Sequence, residues 1–225
     1  VETWQHTKNM TQKPMNATIC DRTCRNIHTN DGTLCQLGRK KPSLIFVAAT
    51  HMIRFTPNNK ANPQAGNVLL SEPFLDDPYF GRKVVLLCEH NEEGSFGFVL
   101  NNYVDIDVDE VMDDLPKLDT RISVGGPVKN GNLYYLHTRQ GIEESIPVVD
   151  GVFMGGSFEQ IRDLLKSGDL TSQEIRFFIG YSGWSPAQLQ DEIRSRSWFV
   201  ANVPPQDIMR TDEENEMFWK RLIQD

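Results

Sequence analysis

The chain has no apolar run approaching the roughly 18 residues that a membrane-crossing helix needs, no Cys-x-x-Cys pair, and neither Gly-x-Gly-x-x-Gly nor Gly-Lys-Ser/Thr. The first absence argues against a helical membrane anchor. The second removes the paired zinc knuckles, and the third the common cradles for dinucleotides and triphosphates. A leader peptide is not expected: Arg39-Lys40-Lys41 precedes the apolar stretch Ser43–Ala49 in the right charge order, but the stretch is internal and short. A soluble cytoplasmic protein is expected.

Cysteine is scarce, and three of the four lie early, as Cys20, Cys24 and Cys35 with His28 between them. Three thiols and an imidazole can make a tetrahedral zinc site, yet this spacing favours free thiols in a reducing compartment. The acids Asp105, Asp107 and Asp109 suggest calcium, but a calcium loop would need Gly at 110 and Glu at 116, where the chain has Glu110 and Pro116. No metal and no cofactor are expected.

Charge divides the chain. Residues 1–65 hold 9 Lys/Arg and 3 Asp/Glu, a formal +6; residues 66–225 hold 14 and 28, a formal −14. An acidic body repels phosphate backbones, so direct nucleic-acid binding by it is disfavoured. The first 65 residues are expected to be a basic extension, either a disordered arm or the product of an over-extended gene prediction, with Met10, Met15 and Met52 as alternative starts. Residues 66–225 are expected to be one domain.

Within that domain, Val84–Cys88 and Phe96–Leu100 flank a Gly-bearing turn and predict a hairpin. Val108, Val111, Met112 and Leu115 stand at helical spacing within 104–115. Further strands are expected over 121–124, 133–137, 145–149, 152–154, 175–179 and 198–203, with Asn130-Gly131 as a turn. Helices are expected over 158–166, 186–194 and 212–223. Many strands with short turns predict a mainly antiparallel α+β domain.

Two Gly-rich turns lead into capped helices. Ser185-Pro186-Ala187-Gln188 has the capping-box pattern, with Pro at the first helical position, and Ser157-Phe158-Glu159-Gln160 has the same Ser and Gln spacing. Such helix starts can hold an anion, and Tyr181 and Trp184 could add a stacking surface beside Gly183. The competing reading packs both aromatics in the core while glycine permits a bend. Ser182 is not in a nucleophile elbow, because Gly180-Tyr181-Ser182-Gly183 is followed by Trp184 where that motif needs Gly. Gly125-Gly126-Pro127 reads as a bend or bulge. Cys88-Glu89-His90 is the one constellation with catalytic potential: strand alternation would put Cys88 and His90 on one face, where imidazole could activate thiol.

Leu70–Leu75, Phe80–Val85, Glu89–Asn91, Gly94–Asn101, Gly125–Val128, Leu136-His137 and Gly180–Trp184 with Gln188-Leu189 and Glu192-Ile193 together resemble the YqgE/AlgH family of bacterial proteins. Order and spacing match through most of residues 66–203. The resemblance implies an α+β fold with a mainly antiparallel, bifurcated sheet, part of it closed as a small barrel and surrounded by helices. It implies a bacterial cytoplasmic protein; members carry the label of transcriptional regulators and have no agreed activity. This chain has Ser182 where the family often has Ala, which weakens a nucleophilic role, and Ser95-Phe96 where Ala-Met is frequent.

The function expected is a regulatory or binding protein that meets a small molecule or protein and acts without direct DNA contact. Its candidate ligand-binding residues are Asn101, Gly125, Gly126, Tyr181, Ser182, Gly183 and Trp184. The alternative is a hydrolase or transferase using Cys88, Glu89 and His90.

Overall fold

The computed structural model describes residues 62–224. The expectations for the basic extension, including zinc at Cys20, Cys24, Cys35 and His28, lie outside the described residues. Among those described, ten strands join in one sheet. β1 (Val68–Ser71) leads to the hairpin β2 (Val84–Asn91) and β3 (Gly94–Val99), as the Gly-bearing turn predicted. β4 (Tyr103–Val104), β5 (Ile122–Val124), β6 (Val128–His137), β7 (Ile146–Val149), β8 (Val152–Met154), β9 (Ile175–Trp184) and β10 (Trp198–Ala201) complete it.

The sheet runs in the order β10-β1-β2-β3-β9-β6-β8-β7 and branches at β9, which also takes β5 as a parallel neighbour; β4 pairs with β5. All other pairings are antiparallel. The fold is thus α+β and mainly antiparallel. The sheet is not closed into a barrel, which corrects one expectation: no ladder joins β7 to β2 or β10. Instead the sheet curls, so that Val148 and Val152 pack in the same cluster as Val84 and Leu86. Side-chain packing across the concave face takes the place of edge pairing.

β2 explains the packing. Val84, Leu86 and Cys88 face the concave cluster, which holds Phe98, Phe178 and Met154, while Val85 and Leu87 face a second cluster with Trp184, Leu189 and Trp198. A strand covered on both sides has no polar face, hence its continuous apolar run. A third cluster joins Val108, Ile122, Ile161, Leu165 and Phe177.

Among the described residues, five helices cover these faces. α1 (Val108–Val111) is a single turn, shorter than the 104–115 spacing predicted, because Tyr103 and Val104 are taken into a strand against Ser123 and Ile122. Val108, Val111, Met112 and Leu115 are nevertheless all buried. α2 (Phe158–Ser167) starts at Ser157, whose hydroxyl accepts from the Gln160 amide, and ends at Gly168 in the left-handed region. α3 (Gln188–Arg194) starts two residues later than its capping pattern predicted, because Ala187 adopts φ +64°. α4 (Pro205–Met209) was not foreseen, and α5 (Asn215–Gln224) closes the described chain.

Asn130-Gly131 makes no hairpin. These residues lie inside β6, where the register with β9 jumps between Val128 and Leu133 and Lys129 takes φ +49°. The extra residues bulge out of the ladder.

Candidate functional site

β9 organises the site. Its ten residues run without a break from Ile175 to Trp184, so the expected turn at Gly180 is instead a kink of φ +67° within a strand. The first half pairs with β6 and β5; the second turns to β3, with Ser182, Gly183 and Trp184 opposite Gly97, Phe96 and Ser95. Ser182 and Trp184 are buried, Tyr181 is partly exposed and Gly183 is exposed.

Gly125 and Gly126 lie against that kink. A Cβ on Gly125 would stand 2.4 Å from the Gly180 carbonyl oxygen, and one on Gly126 would stand 2.3 Å from the Tyr181 carbonyl. Only glycine lets two backbones approach so closely. The Ser182 hydroxyl, fully buried, donates to the Gly125 carbonyl at 3.0 Å. These three residues form a seam, with Ser182 as its tie. Trp184 anchors the other side: its indole N–H, like that of Trp198, donates to Glu192 Oε2 at 2.8 Å. Gln188 Oε1 accepts from both the amide and the hydroxyl of Ser185, so the turn before α3 fills its own donors.

Asn101 sits elsewhere. Its Oδ1 accepts from the Val84 amide, and its Nδ2 donates to the Arg82 carbonyl at 3.0 Å and the Asn215 carbonyl at 2.5 Å. It braces β2 against the start of α5 and makes no hydrogen bond to the β9 kink.

The Cys88-Glu89-His90 constellation is divided by a β-bulge. The β2 to β3 register shifts between Leu87 and Glu89, so Glu89 faces Phe96 across the ladder and His90 faces Ser95. Simple alternation, which would join Cys88 and His90, fails at that bulge. The Cys88 side chain stays in the concave cluster, where burial pushes its thiol well above the ordinary range and the nearby Glu89 carboxylate adds to this. Such a thiol is not a nucleophile at neutral pH.

His90 points to the opposite face. Its Nδ1 lies 2.7 Å from Ser95 Oγ, and its Nε2 lies 3.1 Å from Gln190 Nε2. The amide nitrogen is a donor, so Nε2 accepts and Nδ1 carries the proton toward Ser95. Partial burial lowers its pKa, which suits that neutral tautomer.

Glu89 stays on the concave side with Phe96. The Phe96 ring lies 4.7 Å from Tyr181, and Tyr181 lies 5.8 Å from Tyr134. The Glu89 carboxylate accepts from Asn91 Nδ2 at 2.7 Å. Among the described residues it forms no ion pair. Burial raises its pKa, the Asn91 hydrogen bond opposes the rise, and Glu93 adds to it. Tyr134 was missed by sequence reasoning; its only signal was an aromatic alternating with Leu133 and Tyr135 in a strand.

Arg176 was missed too. It is fully buried in β9 and donates to the carbonyls of Leu100, Ile208 and Arg210 and to the Tyr103 hydroxyl, with no carboxylate partner among the described residues. An Arg within Ile175–Ile179, otherwise apolar, was the available signal. Arg121 lies on the Tyr103 ring at 3.9 Å and donates to the carbonyls of Thr211 and Glu213. Together they fasten the C-terminal segment to the sheet. Among the described residues no group of His, Cys, Asp and Glu is arranged to hold a metal ion, and no helix is long and apolar enough to cross a membrane.

Comparison with known proteins agrees with the fold. The family model described as AlgH-like matches residues 68–225. A UPF0301 protein of Chlorobaculum tepidum is 40% identical over 159 residues, covering 70% of this chain and 84% of that protein. One from Bacteroides thetaiotaomicron is 36% identical over 168 residues, covering 74% and 85%. Among solved structures, protein DIP2367 of Corynebacterium diphtheriae aligns with a TM-score of 0.61 at 26% identity, over 72% of this chain and 86% of that one. The AlgH protein of Pseudomonas aeruginosa aligns with a TM-score of 0.58 at 22% identity, over 72% and 89%, a likeness of fold.

Proposed function

The chain belongs to the AlgH-like family, and from that premise we propose that it is a bacterial regulatory or binding protein that recognises a cationic group of a small molecule or protein where β2 and β9 leave the core. One observation carries this reading: Glu89 is a half-buried carboxylate with no ion-pair partner among the described residues, across the ladder from Phe96, whose ring lies 4.7 Å from that of the partly exposed Tyr181. Desolvating an acid without a counter-charge is costly. A bound ammonium or guanidinium would supply that charge, and the Tyr181 ring would add a cation–π contact.

Direct contact with DNA is disfavoured by the −14 formal charge of residues 66–225, so a regulatory role runs through a partner or ligand. A cytoplasmic setting accords with Cys88 held as a free thiol. That residues 66–225 form one folding unit is supported by the single sheet and by α5, whose Trp219 donates to the Ser71 carbonyl at 3.0 Å. Catalysis by Cys88 has no support in this geometry, because the bulge separates it from His90 and burial keeps it protonated.

A thermal-shift screen of amines, guanidinium compounds and controls against the full chain, with a pulldown in parallel, tests the proposal. Compounds or partners that bind the wild type and lose binding in Glu89→Gln and Tyr181→Ala are expected. A screen and pulldown without any Glu89-dependent binding would count against it.

A further inference from the structure

We infer that the cavity between the start of β5 and the segment carrying α4 binds a small molecule bearing an oxyanion, a carboxylate or phosphate, held by Arg121 with Thr120 beside it. This site lies apart from Glu89 and stands independently of the reading above.

The cavity measures about 810 Å³ and is lined by Thr120, Arg121, Thr138, Gln173, Gln206 and Arg210 among others. That size suits a small-molecule ligand. Arg121 spends Nε and Nη2 on the Thr211 and Glu213 carbonyls, and its Nη1 makes no hydrogen bond within the described residues. Neither Arg121 nor Arg176, stacked near the same Tyr103 ring, has a carboxylate partner among the described residues. Two guanidinium charges therefore stand close together, and each raises the local demand for an anion. Three acids of the C-terminal segment, among them Asp212 in the cavity lining, are already engaged: Asp212 pairs with Arg210 at 3.5 Å, and Asp207 and Glu213 pair with Arg221 at 3.2 and 3.0 Å.

Thr120 adds a second, separate observation. It is 7% exposed, and its hydroxyl has no hydrogen-bond partner among the described residues. Buried hydroxyls are seldom left so; this one is covered, and a turn of the side chain about χ1 toward the cavity would let a bound oxyanion accept its proton. Asp119, exposed at the rim, works against an anion and limits the affinity.

Thermal denaturation of the full chain, titrated with inorganic phosphate and separately with succinate against sodium chloride at equal ionic strength, tests the inference. A saturable rise with one of the two anions beyond the chloride control is expected, and which anion gives it identifies the chemistry. Thr120→Val is expected to be as stable as wild type without anion, since its hydroxyl loses no partner, and to bind the anion about tenfold more weakly. Arg121→Gln is expected to abolish the rise; should it fail to fold, Thr120→Val decides alone. A shift no larger than that from chloride, or a saturable shift unchanged in the variants that fold, overturns the inference.

Discussion

The two halves of β9 are built for different tasks. From Ile175 to Ile179 the strand is wedged between β5 and β6, every residue is buried, and it carries a guanidinium whose Nη1 and Nη2 donate only to carbonyls and one hydroxyl, while its buried Nε has no partner among the described residues. From Gly180 to Trp184 it has small residues at alternate positions, kinks, and leaves Tyr181 and Gly183 in reach of solvent. The first half spends polar chemistry on holding the C-terminal segment. The second makes a tight seam and in doing so presents a surface. A polar residue in an apolar strand is thus no guide by itself to a binding site; what matters is whether the protein satisfies it.

Substitutions in each half sharpen the contrast. Arg176→Ala is expected to cost most, about 3–5 kcal/mol, because it opens a cavity and strands the Ile208 carbonyl, while the Leu100 carbonyl keeps only the Ser123 hydroxyl; chemical denaturation would show it, and a loss below about 1 kcal/mol would remove Arg176 from its fastening role. Gly126→Ala comes next, at about 1–3 kcal/mol, since φ +154° and the Tyr181 carbonyl leave no room for a Cβ. Ser182→Ala gives up one buried hydrogen bond to Gly125, worth about 1 kcal/mol, and should leave ligand responses intact; a larger effect on binding than on stability would make Ser182 part of the site. Smallest is the response of Cys88 to alkylation in the native state, followed by peptide mapping to separate it from the other cysteines. Protection until denaturant is added is expected, and rapid native labelling would restore the thiol as a candidate nucleophile.

Legibility in the sequence followed the range of the forces involved. The hairpin β2–β3 and the burial of Val108, Val111, Met112 and Leu115 rest on local turn chemistry and periodicity, and both were readable. The length of α1 was not, because Tyr103 and Val104 answer to β5, a partner twenty residues away in the ladder. Gly180 marked a special backbone conformation, but whether the strand resumed beyond it depended on β3. The bulge at Leu87 to Glu89 has no Gly or Pro to announce it, so the facing of Cys88, Glu89 and His90 was legible only in the fold. Arg121, Thr120 and the C-terminal segment come together from distant positions, which no spacing rule can find.

On the proposed function, Glu89 serves recognition at the expense of stability. Its folded pKa is raised by burial from an ordinary 4.5. Such an acid contributes stability below its unfolded pKa and loses that contribution as pH rises through the folded value. At pH 7 the charged carboxylate therefore weighs against the fold, while Gln keeps the bond from Asn91. The most direct measurement is chemical denaturation of the full chain and its Glu89→Gln variant at pH 7 without ligand. Equal or greater stability of the variant is predicted; a variant less stable by more than about 1 kcal/mol would mean that Glu89 holds the fold together, and the recognition reading would fall.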